Sequence, residues 1–158
     1  MRGRLLLLYL AAFHGVNAIS PDLLAGVPSK KAVYQGGTLP GTQVPLTGSV
    51  DLTDSDSFVF AHESGRICIP YGRVNSLEYG QKSGRRLGLA IALSPAFLLS
   101  HKRRHYLTIN FREESGQQHA VILELGKDIV RTTLRGLEAR TGLKIEFEDE
   151  QSRKSSGW

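Results

Sequence analysis

Several residues in this chain stand at spacings that could do chemistry. His101 and His105 are four apart, which on a helix would point both imidazoles to one side as metal ligands. However, no carboxylate or cysteine accompanies them, and basic residues crowd Ser100–His105, so the sequence predicts no metal site. His62 and Glu63 precede Ser64-Gly65-Arg66, but a strand-elbow-helix setting for a nucleophilic serine is missing there. Asp54 and Asp56, near Glu63, read as a solvated turn rather than a pair of catalytic acids. Gly80, Gly84 and Gly88 lack the Gly-Lys-Ser/Thr ending of a phosphate-binding loop. Cys68 is the one cysteine, flanked by Ile67 and Ile69, and reads as a small buried hydrophobe. The expectation is therefore no catalytic constellation, no enzyme and no cofactor.

What stands out instead is a physical pattern. Leu87–Leu99 is a largely apolar run, preceded by Lys82, Arg85 and Arg86 and followed by Lys102, Arg103 and Arg104. Thirteen residues are far short of the roughly 20 that a spanning helix requires. Ser94-Pro95 interrupts the run as a helix start would, with serine as N-cap and proline in the first turn. The segment reads as a hairpin of two short helices or an apolar strand pair, with both ends emerging together. Leu87, Ile91, Leu93, Phe97, Leu98 and Leu99 would then touch a membrane or partner, and the six basic residues would gather at its rim. The alternative is that the apolar residues fold onto the domain as a satellite core or dock on a protein.

The elements that must carry this segment are mostly strands. The 158 residues suit one domain, and 41% hydrophobic content supplies one core. Glycines recur between short apolar runs: Ala32–Tyr34, Gly48–Leu52, Ser57–Ala61, Arg66–Ile69 and Val74–Tyr79 are all of strand length. Gly36-Gly37 reads as a bulge or tight turn. In Tyr106–Phe111, Leu107, Ile109 and Phe111 share one face. His119–Leu125 returns as a more continuously apolar strand after a loop at Arg112–Gln118. Ile129, Val130, Thr133, Leu134 and Leu137 then form one helical stripe, with Gly142 placed as a left-handed cap. Leu143–Phe147 reads as a short last strand and 149–158 as a disordered tail. The fold class is thus mainly β (β-rich α+β): an antiparallel barrel or sandwich of six to seven strands capped by one C-terminal amphipathic helix.

Met1–Ala18 has a basic start, an apolar stretch over Leu5–Phe13 and Val16-Asn17-Ala18 at its end, the pattern of a secretory signal peptide cleaved after Ala18. Cleavage would remove Arg2 and Arg4, leaving 18 basic against 15 acidic residues and lowering the net charge from +5 to +3. The expected location is exported, periplasmic or extracellular, with membrane association through the apolar segment. Residues 19–31 read as a flexible lead-in. Nucleic acid is not an expected partner, because aromatic residues do not interleave with the basic cluster.

The strand order, the C-terminal helix and the phrases Leu77-Glu-Tyr-Gly-Gln81, Lys102-Arg-Arg-His-Tyr-Leu-Thr108, Glu124-Leu-Gly-Lys-Asp128 and Leu137-Glu-Ala-Arg-Thr-Gly142 resemble small bacterial pleckstrin-homology-like (PH-like) proteins. The resemblance runs from about residue 32 to 148, with 82–105 as an apolar insertion beyond a minimal PH domain. It implies a PH-like barrel, a scaffold that hosts lipid binding, peptide binding and purely structural roles, and because of the insertion it assigns no lipid head group. The expected partner, an anionic membrane surface or an unidentified protein, follows from the apolar segment and its basic ends. The resemblance supplies no catalytic residues.

Overall fold

Alternating side chains fix most of the architecture. A computed structural model describes residues 30–81, 92–98 and 103–158. Its strands are β1 (Ala32–Gly37), β2 (Leu46–Asp51), β3 (Ser57–His62), β4 (Gly65–Pro70), β5 (Val74–Gly80), β6 (Ala92–Leu93), β7 (His105–Arg112), β8 (Gln118–Leu125) and β9 (Ile145–Phe147). The helices are α1 (Pro95–Leu98), α2 (Val130–Thr141) and α3 (Glu150–Ser155). One mixed sheet runs in the order β4-β3-β2-β1-β8-β7-β5-β9, with β6 added to β1.

The inward face of this sheet carries Tyr34, Phe58, Phe60, Ile69, Leu77, Tyr79, Leu107, Ile109, Val121 and Leu123 in a single core. They recur every second residue, as the pleat requires. Helix α2 lays Val130, Leu134 and Leu137 on the same core, each contributing roughly 1.5–3 kcal/mol when fully buried. Gly142 ends the helix at φ 73°, donating its N–H to Glu138 O. That left-handed conformation suits glycine. The stripe and cap read from the sequence are both present.

Three expectations need correction. The sheet is open and mixed, not a closed antiparallel barrel of six to seven strands. Among the described residues its path counts eight strands, and β9 lies parallel to β5 because α2 carries the chain back across before β9 begins. Residues 149–158 are not a disordered tail: Asp149 caps α3 by accepting from Ser152 N at 2.6 Å. Trp158 then packs on Phe147 (centroids 5.8 Å apart), with the Arg135 guanidinium 4.0 Å above its ring. Two helices, not one, thus follow the sheet. Cys68 is exposed rather than buried. Ile69 takes the core position on β4 and Ile67 packs beside it, so strand alternation sends Cys68 to the opposite face.

The bulge expected at Gly36-Gly37 falls one residue earlier: the β1–β8 register shifts between Tyr34 and Gly36, leaving Gln35 as the extra residue, while Gly36 and Gly37 pair with Ile122 and Val121. The backbones approach so closely there that a Cβ on Gly37 would sit 2.3 Å from Ala120 O. The acidic turn behaves as read: Asp54 Oδ1 accepts from the N–H groups of Asp56 and Ser57.

Candidate binding surface at the apolar insertion

The second face of the sheet positions the insertion. On β7 and β8 it carries Tyr106, Ile122 and Glu124, all buried, and on β1 it carries Gln35. Strand β6 pairs with β1 beside the bulge, Leu93 opposite Gly36 and Ala92 opposite Gly37.

Ser94 then starts the one-turn helix α1. Its Oγ accepts from Phe97 N at 3.2 Å, the N-cap bond, while its own hydroxyl donates to Gln35 Oε1 at 2.6 Å. Its backbone N–H donates to Gln35 O at 2.9 Å. The Ser94-Pro95 helix start is therefore present, and it is pinned to β1 twice. From this anchor Phe97 turns inward, 3% exposed, with its ring edge-on to Tyr106 at 4.9 Å and Ile122 beside it. Leu93, half-buried, completes this second apolar cluster. Leu98 faces the other way and is 66% exposed.

A buried polar network lies under the same segment. Gln35 Nε2 donates to Glu124 Oε2 at 2.7 Å, and Arg104 NH1 donates to both Glu124 oxygens at 2.9 Å. Glu124 is only 2% exposed, so its charge depends on these donors. Arg104 N also donates to Gln81 O at 3.2 Å. The insertion therefore leaves and re-enters the sheet at one point, as a hairpin's ends should.

The residues expected to make contact divide three ways. Leu98 and Arg103 are exposed and stand where a partner could reach them. Phe97 and Arg104 face inward, Phe97 as a core residue and Arg104 as the counter-ion of Glu124, while Leu93 is half-buried. Lys82, Arg85, Arg86, Leu87, Ile91, Leu99 and Lys102 lie outside the described residues, as do His101, the proposed signal segment and most of the lead-in.

No protein-family model and no curated protein matches the chain.

His105 adjoins the network. Burial pushes its imidazole below the ordinary value of 6.5, against a smaller upward pull from Glu124. Its Nδ1 is hydrogen-bonded to the Tyr79 hydroxyl, which lies 3.5 Å from Ser155 Oγ. Ser155 donates its own proton to Ser152 O, and the trio ties α3 to β5 and β7. Among the described residues, no group of three or more His, Cys, Asp or Glu side chains could hold a metal ion, and no helix is long and apolar enough to cross a membrane.

Sequence reasoning missed Gln35 and Glu124. The second had a signal: a carboxylate inside the apolar run Ala120-Val-Ile-Leu-Glu-Leu125 must find a partner if that strand is covered on both faces. Nothing local in the sequence names Arg104 or Gln35 as that partner.

Proposed function

We propose that this chain is an exported, non-catalytic binding module on a PH-like scaffold, seated on an anionic membrane surface through its 82–105 insertion. The observation that carries this reading is the mounting of α1. Ser94 and Phe97 lock the turn to the sheet, while the adjacent Leu98 is held 66% exposed. It is the one exposed large hydrophobic side chain among the described residues. The PH-like scaffold is supported by two meanders, β1–β4 and β5–β7–β8, followed by a helix on the core.

Basic residues flank this apolar point in sequence on both sides, and Arg103 is exposed. Each basic side chain near an anionic surface contributes on the order of 1 kcal/mol. Inserting Leu98 would add about 1–2 kcal/mol, so neither signal suffices alone and both are needed for stable attachment. Arg104 is reserved for Glu124 and does not join this charge.

The test is sedimentation with vesicles of phosphatidylglycerol against vesicles of phosphatidylcholine. The proposal expects pelleting with the first alone, weakened by high salt and by Leu98→Asp or Arg103→Glu. Equal pelleting with both lipids, or none, would reject it. A second reading, that the insertion is an internal structural layer or a protein-docking face, is favoured by the burial of Phe97 against Tyr106 and Ile122. Under it Leu98→Asp leaves vesicle behaviour unchanged.

A further inference from the structure

The open end of the sheet carries a second feature, independent of the insertion. Among the described residues strand β4 is the last strand of the path, paired with β3 alone. Two observations fix which of its backbone groups point outward. Tyr71 N donates to Asp56 O at 2.9 Å, and Pro70, opposite Ser57, has no N–H. In an antiparallel ladder hydrogen-bonded and non-hydrogen-bonded pairs alternate. Phe58–Ile69 and Phe60–Ile67 are therefore the bonded pairs, and Val59–Cys68 and Ala61–Arg66 are not. The N–H and C=O groups of Arg66 and Cys68 point away from β3, toward the unpaired edge.

That edge borders a groove of about 470 Å³, whose lining includes Leu39, Ile67 and Phe111 as well as Arg66, Cys68 and Pro70. Of the charges around it, Arg73 is bonded to Glu114, while Glu113 Oε1 lies 3.3 Å from His119 Nε2, an ion pair only when that imidazole is protonated. Arg66 is exposed and has no ion pair among the described residues.

We infer that β4 receives an extended peptide as an added strand, one in which acidic and apolar residues alternate. Strand addition supplies main-chain hydrogen bonds from the edge and pockets for alternate side chains. A residue opposite Arg66 shares its face and meets its guanidinium with a carboxylate. The next residue falls on the face of Ile67 and is apolar. A second copy of the chain fits less well, because Gly65–Pro70 contains no acidic residue to face Arg66. The edge also lacks the usual protection at its centre: Ile67-Cys68-Ile69 has neither charge nor proline.

The probe is a fluorescein-labelled peptide of four Glu-Val repeats, with four Lys-Val repeats as control, read by fluorescence polarisation and amide hydrogen exchange. The Glu-Val peptide should bind about tenfold more tightly, a difference of about 1.4 kcal/mol. Its binding should slow exchange at the amides of Arg66 and Cys68. Arg66→Glu should reverse the preference. Cys68→Pro should abolish binding yet keep the fold, since proline is tolerated where an edge N–H faces solvent. If Cys68→Pro unfolds the domain, exchange in the unaltered chain still decides. Equal binding of both peptides, or protection confined to other strands, overturns the inference. Protection of Arg66 and Cys68 that rises with protein concentration, without peptide, assigns the edge to a second copy and also overturns it.

Discussion

Arg104 stands in a basic cluster, yet the structure makes it internal, and Arg104→Ala separates these two descriptions. The substitution removes both 2.9 Å bonds to Glu124 and leaves a carboxylate whose side chain is 3% exposed and which still accepts from Gln35. Breaking a buried ion pair from one side costs about 3–5 kcal/mol. Total stability for a domain of this kind is about 5–15 kcal/mol, so the loss is a large share. At about 2–4 °C per kcal/mol, the unfolding midpoint should fall by roughly 6–20 °C. Arg103→Ala, at an exposed neighbour, should stay within about 0.5 kcal/mol of the parent. Adding Glu124→Gln to Arg104→Ala should recover part of the loss, because the residual charge is gone. Thermal and urea unfolding followed by circular dichroism measures all three. If Arg104→Ala is as mild as Arg103→Ala, the network does not hold the insertion and the reasoning fails.

Phe97→Ala should cost about 3 kcal/mol in urea unfolding, for it empties the cluster with Tyr106 and Ile122; a change under about 0.5 kcal/mol would mean that Phe97 does not pack there. Gly37→Ala should disrupt the β1–β8 pairing, because the new Cβ meets backbone at 2.3 Å, and faster amide exchange in Val121 and Ile122 would report it. For His105, burial lowers the folded value below 6.5, so the unfolded chain takes up a proton first as pH falls. The contribution of His105 to stability is therefore intact above about pH 6.5 and declines below it through the depressed folded value. Unfolding midpoints at about pH 7.5 and about pH 5.5 should differ less in His105→Asn than in the parent.

Elements with a clean period were legible in the sequence. The inward residues of β7 and the α2 stripe with its Gly142 cap follow from local spacing, and the structure places them as expected. Ser94-Pro95 also announced α1, because capping is a local act. What was illegible depends on distant chain. The parallel pairing of β9 with β5 depends on where α2 delivers the chain. The Gln35–Glu124–Arg104 network joins positions 89 and 20 residues apart. Helix α3 has a weak apolar signal of its own and is held by Asp149 at its start and by Trp158 against Phe147 and Arg135. Cys68 was misread because hydrophobic neighbours imply burial only when the strand's alternation is ignored.

The surroundings of Leu98 can be read directly. An environment-sensitive fluorophore is attached at position 98 through Leu98→Cys, with Cys68→Ser removing the exposed native thiol. The labelled protein is mixed with phosphatidylglycerol vesicles containing brominated acyl chains, and with phosphatidylcholine vesicles as control. Membrane seating predicts a blue shift and bromine quenching with the anionic vesicles alone, both reversed by high salt. An unchanged spectrum under saturating anionic lipid would contradict it.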